Sequence, residues 1–535
     1  MGAGPFRSLA KGGLLTGGEA VVRALCGHGV TQVFGIPGTH NLEVYRHLGA
    51  YGIRHMTPRH EQGAGYAADG YARVTGRPGV VLTTTGPALL NAAAAVGQAY
   101  SDSVPLLVVS PGMPLRHPRL STGLLHEMRS QTDALRGVAA FSHRVSSVAE
   151  IDSAVARAFT LFRTGRPRPA HIEIPLDLLE AAEPLGPVRL SPPVPRPTPV
   201  VREAVRVLSG ARRPALVLGG GARNAGRACL ALAERLGAPV VTTANGKGTV
   251  PETHPLSLGV SLHSPAVQKW LATRDAVLAV GTELAESDFW TDPPQLDGTL
   301  IRVDIDPDQM HAGTPADVPL VGDARAVLEA LVRELPLHAR VPDDVTALRS
   351  TRDAETAERD ARWIPYLKAI RSVLAEDAVV TSDSAQCCYY GALPHLPLDP
   401  AGRYLHPTGF GTLGYALPAA IGAKVARPGR QVVALSGDGG LQFTVQELAT
   451  AVQLQLPLPI VVFDNGGYGE IRDEMTARGD TPTAVDLPPV DLPALARAYG
   501  GHGTRACSPA ELRHALAEAL ERPGPTLIVI PEETA

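Results

Sequence analysis

Short apolar runs recur along all 535 residues, each followed by an amphipathic segment. These runs show no alternation of apolar and polar residues, which is typical of parallel strands in a sheet that is covered on both faces. Examples are PGVVLTTTG, PALVLGGG and QVVALSGDG, one from each third of the chain. The pattern predicts an α/β fold of three doubly wound parallel-sheet domains.

Two segments divide the chain into thirds of ordinary domain size. Residues 183–200 are rich in proline and are expected to form an extended linker, and residues 341–363 are charged and are expected to cross the surface partly as helix. We predict an N-terminal domain at 1–185, a central Rossmann-like domain at 196–340 and a C-terminal domain at 355–535. The two outer domains resemble each other in plan, because each has a glycine-rich turn after a strand.

Charge and composition exclude several partners. The formal net charge is −4 and basic residues form no long run, so we expect no nucleic acid partner. No apolar run reaches the roughly 18 residues of a membrane helix, so we expect no membrane partner. The five cysteines have no spacing that suits zinc or a disulfide framework, which favours a cytoplasmic location.

The stretch SGDGG, followed one helix and one strand later by DNGG, predicts a cation site. Asp438 ends a predicted strand between Gly437 and Gly439, and Asn465 ends the next. Because ligands bind at the carboxyl ends of parallel strands, the two side chains are expected to be neighbours. Carboxylate, amide and carbonyl oxygens suit Mg²⁺ that binds substrate phosphates. The alternative is two glycine-rich turns with Asp and Asn as turn residues.

This stretch resembles the signature of thiamine diphosphate (ThDP)-dependent enzymes, and the resemblance covers nearly the whole chain. It implies Mg²⁺ ligation by Asp438, Asn465 and the carbonyl of Gly467, although Asp464 stands where the family has a second Asn. It also implies that cofactor contacts come from the glycines and the aromatic residue of these turns, namely Gly437, Gly439, Gly440, Gly467 and Tyr468.

Three further segments resemble parts of the ThDP site. RHEQGAGYAADGYAR supplies Glu61, which in this family assists the imino form of the aminopyrimidine ring. GFGTLGYALPAAIGAK places Leu413 where the family has the apolar residue that bends the cofactor, and Gly411 where a carbonyl meets its amine. The turn TSDSAQ ends at Gln386, which the resemblance places against the diphosphate.

The reaction pocket departs from that of acetolactate synthases, the similar branch of the family. His126 replaces their pocket Gln, and Thr39 and His40 stand where they have small residues. A histidine in a cofactor-facing loop is either a catalytic group or a satisfied structural residue, and both readings stay open for His40 and His126. His60, beside Glu61, is the weaker candidate.

Acidic residues in the pocket favour a cationic substrate. Glu470 stands where related enzymes have an apolar residue, next to Ile471, and Glu127 and Asp473 are candidates to assist it. A carboxylate there pairs with a guanidinium. Alternatively, Glu470 stabilises the start of its own helix.

The pocket pattern resembles the family members that decarboxylate 5-guanidino-2-oxopentanoate to 4-guanidinobutanal and CO₂ in arginine catabolism. We therefore expect a ThDP- and Mg²⁺-dependent 2-oxo acid decarboxylase. The main alternative is an acetolactate synthase-like carboligase acting on pyruvate, and a catalytically silent ThDP fold is a third possibility.

The resemblance also bears on FAD and on assembly. The segment TELAESDFW lacks the Arg and paired Asp of the members that carry FAD, which disfavours FAD without excluding it. The family builds its site between two chains, which implies a homodimer or homotetramer.

Overall fold

The computed structural model describes residues 13–116, 121–190, 199–336 and 344–532. Within this part of the chain, three six-stranded parallel sheets confirm the predicted fold class. Residues 191–198 of the predicted proline-rich linker lie outside the described residues. No helix in the described ranges has both the length and the apolar character needed to cross a membrane.

The N-terminal domain is a parallel sheet with helices on both faces and a short antiparallel ribbon. Its strands are β1 (Gly13–Thr16), β2 (Gln32–Gly35), β3 (Arg54–Met56), β4 (Gly79–Leu82), β5 (Leu106–Gly112), β6 (Phe141–Arg144), β7 (Ala170–Pro175) and β8 (Ala182–Leu185). Its helices are α1 (Gly17–Gly27), α2 (Leu42–Leu48), α3 (Glu61–Thr75), α4 (Pro87–Ser101), α5 (Gln131–Arg136), α6 (Val148–Thr164) and α7 (Leu176–Glu180). The sheet order is β3-β2-β4-β5-β7-β6, and β1 pairs with β8.

The central domain has the strand order of dinucleotide-binding folds, β11-β10-β9-β12-β13-β14. Its strands are β9 (Pro214–Leu218), β10 (Val240–Thr242), β11 (Ser257–Val260), β12 (Ala276–Val280), β13 (Thr299–Asp304) and β14 (Val318–Val321). Its helices are α8 (Arg202–Gly210), α9 (Gly226–Leu236), α10 (Pro265–Ala272), α11 (Glu286–Phe289) and α12 (Ala324–Glu334).

The C-terminal domain follows a connecting helix, α13 (Thr346–Asp360), within the segment that the sequence predicts as partly helical. Its strands are β15 (Val379–Ser382), β16 (Arg403–Leu405), β17 (Val432–Gly437), β18 (Leu458–Asp464), β19 (His502–Arg505) and β20 (Pro525–Pro531). Its helices are α14 (Ile364–Val373), α15 (Leu393–His395), α16 (Ala416–Ala426), α17 (Asp438–Leu441), α18 (Glu447–Gln453), α19 (Gly469–Ala477), α20 (Leu492–Ala498) and α21 (Pro509–Glu521). Its sheet order is β16-β15-β17-β18-β20-β19.

The two outer sheets have the same topology. When the strands of each six-stranded sheet are numbered by their order in the chain, both read 2-1-3-4-6-5 across the sheet. The central sheet reads 3-2-1-4-5-6 on the same scheme. The predicted likeness in plan of the two outer domains is therefore a shared strand order, and equivalent strand ends can be compared directly.

Helices α3 and α16 join the outer domains, and each follows the second strand of its six-stranded sheet, β3 or β16. A Cβ atom at Gly70 would collide with the carbonyl of Ala419, and one at Gly422 would collide with the carbonyl of Ala67. Because both positions are glycine, the two helix backbones come into contact. Side chains of both helices lie in one hydrophobic core that also includes strands of both sheets.

Candidate active site

The ends of β17 and β18 bring three oxygen-bearing groups together. Asn465 follows β18, and its amide oxygen lies 3.1 Å from the carbonyl oxygen of Gly467 and 3.2 Å from Asp438 Oδ1. The backbone N–H of Asn465 donates to the same carboxylate oxygen at 3.2 Å. Asp438 and Asn465 are thus neighbours, as the strand pattern predicts.

The donor set of this site suits a small divalent cation. An amide oxygen that faces two acceptor oxygens is unsatisfied, and it is relieved either by turning the amide or by a cation among the three oxygens. Burial, and then the nearby Asp464, raise the pKa of Asp438 to about 6. The described residues contain no cluster of three or more His, Cys, Asp and Glu that could hold a metal ion. Mg²⁺ ligation by this set stays a prediction that the chemistry of the residues supports.

The predicted cofactor glycines lie beside these oxygens. Gly437 precedes α17, and Gly439 and Gly440 belong to its single turn. A Cβ atom at Gly439 would lie 3.2 Å from the carbonyl oxygen of Gly467 and 3.1 Å from the ring of Tyr468. The glycine therefore keeps open the space in which the resemblance places the diphosphate.

Gln386 connects the end of β15 to α19. Its side-chain Nε2 donates to Glu470 Oε2 at 3.0 Å and to Asp473 Oδ2 at 2.7 Å. The hydroxyl of Tyr390 donates to the other oxygen of Glu470 at 2.7 Å. Among the described residues, no lysine, arginine or histidine forms an ion pair with either carboxylate within 4.0 Å. Two carboxylates therefore share one neutral amide.

A cluster of aromatic rings lies beside Glu470. Tyr390 lies 5.1 Å from Trp290 and 4.6 Å from Tyr389, measured between ring centroids. The guanidinium of Arg359, from α13, lies over the ring of Tyr390 at 3.8 Å. Burial, and then Glu470, raise the pKa of Tyr389. This cluster joins the central and C-terminal domains beside the acidic pair.

Glu61 is the first residue of α3 and is 9% exposed. Its carboxylate accepts a hydrogen bond from Asn91 Nδ2 at 2.9 Å. His60 precedes the helix and its Nδ1 accepts from the backbone N–H of Gln62 at 3.2 Å, which caps the helix start. His60 is therefore a capping residue, in line with its weaker standing as a catalytic candidate.

The predicted histidines of the pocket meet through a threonine. His40 Nδ1 lies 2.6 Å from Thr85 Oγ1, and His126 Nδ1 lies 3.2 Å from the same oxygen. The two rings are 5.4 Å apart and nearly perpendicular. Burial, and then His126, lower the pKa of His40. His126 has a φ of 62°, which is uncommon for a residue with a Cβ atom and is often found at functional sites.

The other predicted substrate residues are Glu127, Thr39 and Ile471. Glu127 accepts backbone N–H bonds from Thr122, Gly123 and Leu124, so its carboxylate holds its own loop. Thr39 begins a short 3₁₀ turn and is exposed, and Ile471 is 46% exposed on α19. Their roles toward a substrate stay predictions.

The turn that carries Gly411 and Leu413 is fixed at both ends. The backbone N–H of Thr412 donates to Gln98 Oε1 at 3.2 Å, and that of Gly414 donates to Asp383 Oδ1 at 2.9 Å. Gly411 has a φ of 62°, which favours glycine. Leu413 is half-buried between these two anchors.

Sequence reasoning missed three partners of the predicted groups: Thr85, Asn91 and Tyr390. Thr85 lies in TTTG at the end of β4, and polar residues at a parallel strand end are a usable signal. Asn91 faces Glu61 from the next helix, and no local pattern marks that contact. Tyr390 belongs to a π-helix, Cys387–Ala392, a form of turn that is frequent at functional sites.

A cavity of about 600 Å³ lies at the carboxyl ends of the central sheet, lined by residues of all three domains. Gly220 and Gly221 after β9 and Gly281 after β12 line it, at the point where the strand order reverses. Ligands of doubly wound sheets bind at such a point. The prediction about FAD stays a prediction.

Three family models of thiamine pyrophosphate enzymes match the chain. The N-terminal TPP binding domain matches residues 15–134, the central domain residues 201–331, and the C-terminal TPP binding domain residues 385–530.

Relatives from two branches cover most of the chain. It is 45% identical over 497 residues to "Probable 2-ketoarginine decarboxylase AruI" of Pseudomonas aeruginosa. The aligned region covers 91% of this chain and 88% of that protein. It is 34% identical over 542 residues to the acetolactate synthase isozyme 3 large subunit of Escherichia coli, which covers 95% of this chain and 93% of that protein. The chain belongs to the thiamine pyrophosphate enzyme family.

Proposed function

We propose that this chain is a ThDP- and Mg²⁺-dependent decarboxylase that converts 5-guanidino-2-oxopentanoate to 4-guanidinobutanal and CO₂. The observation that carries the proposal is the acidic pair of Glu470 and Asp473, which shares the amide of Gln386 and has no ion-pair partner among the described residues. The 45% identical relative named as a 2-ketoarginine decarboxylase supports the same substrate.

A guanidinium suits the surroundings of Glu470. Two carboxylates without a counter-ion attract a cation, and a planar guanidinium pairs with carboxylate oxygens through two parallel hydrogen bonds. Tyr390 adds an aromatic face beside the carboxylate, and a guanidinium stacks on such a face. The guanidinium of Arg359 already lies over this ring at 3.8 Å, so the ring can pack against a guanidinium.

Bound ThDP supplies the electron sink that loss of CO₂ from a 2-oxo acid requires. Asp438, Asn465 and the carbonyl of Gly467 would hold its diphosphate through Mg²⁺. Leu413 would set the bend of the cofactor, Gly411 would offer its carbonyl to the cofactor's amine, and Gln386 would lie near the diphosphate.

The N-terminal residues handle protons in this proposal. Glu61 would hydrogen-bond the aminopyrimidine ring, and Asn91 Nδ2 fixes the orientation of its carboxylate. His40 and His126, which both contact the hydroxyl of Thr85, would hold and move a proton in the reaction pocket. Which ring nitrogen carries the proton depends on the tautomer.

A second candidate is an acetolactate synthase-like carboligation of pyruvate. The observation that favours it is the 34% identity to an acetolactate synthase over 95% of the chain. The acidic pair counts against it, because pyruvate has no cationic tail. In either case we propose a homodimer or homotetramer whose sites lie between chains.

The test is to follow CO₂ release from 5-guanidino-2-oxopentanoate and from pyruvate in parallel, with purified protein, ThDP and Mg²⁺. We expect kcat/KM for the guanidino acid to exceed that for pyruvate by at least about tenfold, because hydrogen bonds between charged groups contribute roughly 1.5–3 kcal/mol. Preference for pyruvate with formation of acetolactate would overturn the proposal.

Glu470→Gln separates the role of the charge from that of shape. It should raise KM for the guanidino acid about 10- to 100-fold and leave the KM of an uncharged 2-oxo acid of the same length nearly unchanged. Glu518→Gln, an exposed carboxylate on α21, is the matched control. Equal effects of Glu470→Gln on both substrates would remove Glu470 from substrate recognition.

A further inference from the structure

A buried carboxylate of the C-terminal domain holds the turn that leads into Glu61. Glu447, the first residue of α18, is 1% exposed. Its oxygens accept the backbone N–H groups of Arg59 at 3.0 Å and His60 at 3.1 Å. A Cβ atom at Gly63 would collide with this carboxylate, so the glycine permits its close approach to α3.

A buried carboxylate of the N-terminal domain holds the turn that leads into Gly411 and Leu413. Asp102 directly follows α4, and its side chain is 1% exposed. Its oxygens accept the backbone N–H groups of Thr408 and Gly409, both at 3.3 Å. Gln98, one helical turn earlier, donates to Asp102 at 2.6 Å and accepts the N–H and hydroxyl of Thr412.

The two contacts are reciprocal. Each acid lies on the helical segment that follows the third strand of its sheet, β17 for Glu447 and β4 for Asp102. Each accepts two consecutive backbone N–H groups from the other outer domain, in the turn between the second strand and the helix α3 or α16. Arg73 and Asn245 also donate to Asp102, which adds the central domain to this contact.

We propose that Glu447 and Asp102 are positioning residues, which fix across the domain boundary the turns that carry Glu61 and Leu413. The inference rests on the proposed roles of those two residues at the cofactor. A carboxylate accepts two N–H groups with charge-assisted bonds, whereas an amide offers one oxygen. A displacement of about 1 Å of a reacting group lowers a rate about 100-fold, so loosening either turn is expected to matter.

Amide hydrogen exchange in the cofactor-free protein tests the reciprocity. Glu447→Gln should speed exchange of the Arg59 and His60 N–H groups at least about tenfold and leave those of Thr408 and Gly409 within about twofold. Asp102→Asn should give the opposite pattern. Asp152→Asn is the matched control, because Asp152 is a buried partner of Arg23 within the N-terminal domain alone. Faster exchange confined to the variant's own domain, or the same pattern in Asp152→Asn, would overturn the proposal.

A milder pair of variants guards against misfolding. Thr412→Val removes the hydroxyl that donates to Gln98 at 2.9 Å, whereas Thr412→Ser keeps it. With ThDP and Mg²⁺ bound, the C2 proton of the cofactor should exchange with solvent about tenfold more slowly in the Val variant than in the Ser variant, with cofactor Kd within about threefold. Equal exchange rates would contradict the proposal.

These readouts separate failure of the positioning role from failure of the proposed function. Neither uses a substrate, so loss of the guanidino acid as substrate leaves the exchange results standing. Conversely, the wild-type protein could decarboxylate the guanidino acid while the Glu447→Gln and Asp102→Asn variants show the amide exchange rates of the wild type. That outcome would refute the positioning role alone.

Discussion

The N-terminal and C-terminal sheets share the order 2-1-3-4-6-5 but carry different chemistry at the carboxyl ends of their strands. In the N-terminal domain these ends bring together His40, Thr85 and His126, and Glu61 begins the helix after β3. In the C-terminal domain the ends of β17 and β18 collect the oxygens of Asp438, Asn465 and Gly467. We propose that the groups at the first edge exchange protons and that the oxygens at the second bind a cation.

On the proposed function, one topology serves two tasks, because different residues stand at equivalent strand ends. The second strand of each six-stranded sheet, β3 or β16, leads to a helix, α3 or α16, and these two helices pack against each other. Helix α3 begins with a carboxylate, Glu61, whereas α16 is preceded by the turn Gly411–Gly414, in which both glycines have a positive φ. Because the two helices pack against each other, the position of Glu61 and the position of the Gly411–Gly414 turn depend on the same contact.

The largest expected effect comes from the proton-handling side. Glu61→Gln keeps the shape and the contact with Asn91 but removes the titratable group. We expect kcat to fall about 10²- to 10⁴-fold, with the Kd of ThDP changed less than about tenfold. Turnover and cofactor titration measure the two quantities. Glu43→Gln, a part-buried carboxylate on α2, is the control, and full activity of Glu61→Gln would refute its role.

The cation side should fail in a different way. Asp438→Asn removes a charge from the proposed Mg²⁺ ligands, so we expect the Kd of ThDP measured with Mg²⁺ to rise about 100-fold. High cofactor and Mg²⁺ should restore most of kcat, which they do not do for Glu61→Gln. If Asp438→Asn binds ThDP and Mg²⁺ as the wild type does, the oxygen cluster is a structural turn.

The histidine row should have a smaller effect. Thr85→Val removes the hydroxyl that lies between His40 and His126, and we expect kcat to fall about tenfold with little change in KM. Thr85→Ser retains the hydroxyl and should keep most of the activity. A pair of variants with the same kcat would mean that the threonine takes no part in proton movement.

The smallest effect on activity is expected at β7, a strand whose buried residues differ in character from those of its equivalent, β20. Counted back from the final proline, β7 carries His171 and Glu173 where β20 carries Leu527 and Val529. Burial lowers the pKa of His171 to about 3, and its ring nitrogens contact Ser110 and Ser142, each at 2.7 Å.

This histidine should make the protein sensitive to acid. Below its ordinary pKa of about 6.5, the unfolded chain binds a proton that the folded chain refuses, so its contribution to stability is lost as the pH falls from about 6.5 towards 3. Between pH 7 and pH 4 this costs about 3 kcal/mol of unfolding free energy, and His171→Gln should flatten that slope. Denaturant titrations at several pH values check it. An unchanged slope would contradict the buried neutral state.

The sequence predicts the C-terminal edge better than the N-terminal one. QVVALSGDG and LPIVVFDN are apolar runs that end in polar residues, and they became β17 and β18 with Asp438 and Asn465 as neighbours. Strand β7 lies inside the sheet, between β5 and β6, but the sequence does not mark it as an apolar strand, because His171 and Glu173 interrupt its apolar run. Contacts such as Asn91 with Glu61 depend on helix packing, which no local pattern reveals.

We propose that Glu61 and Asp438 are two halves of one site, contributed by different chains. The direct measurement is the activity of hybrids assembled from Glu61→Gln and Asp438→Asn chains, each inactive alone at limiting cofactor. If sites form between chains, each hybrid dimer contains one site with both residues intact, and a random mixture should recover about a quarter of wild-type turnover. No recovery in hybrids that have formed would contradict the claim and place each site within a single chain.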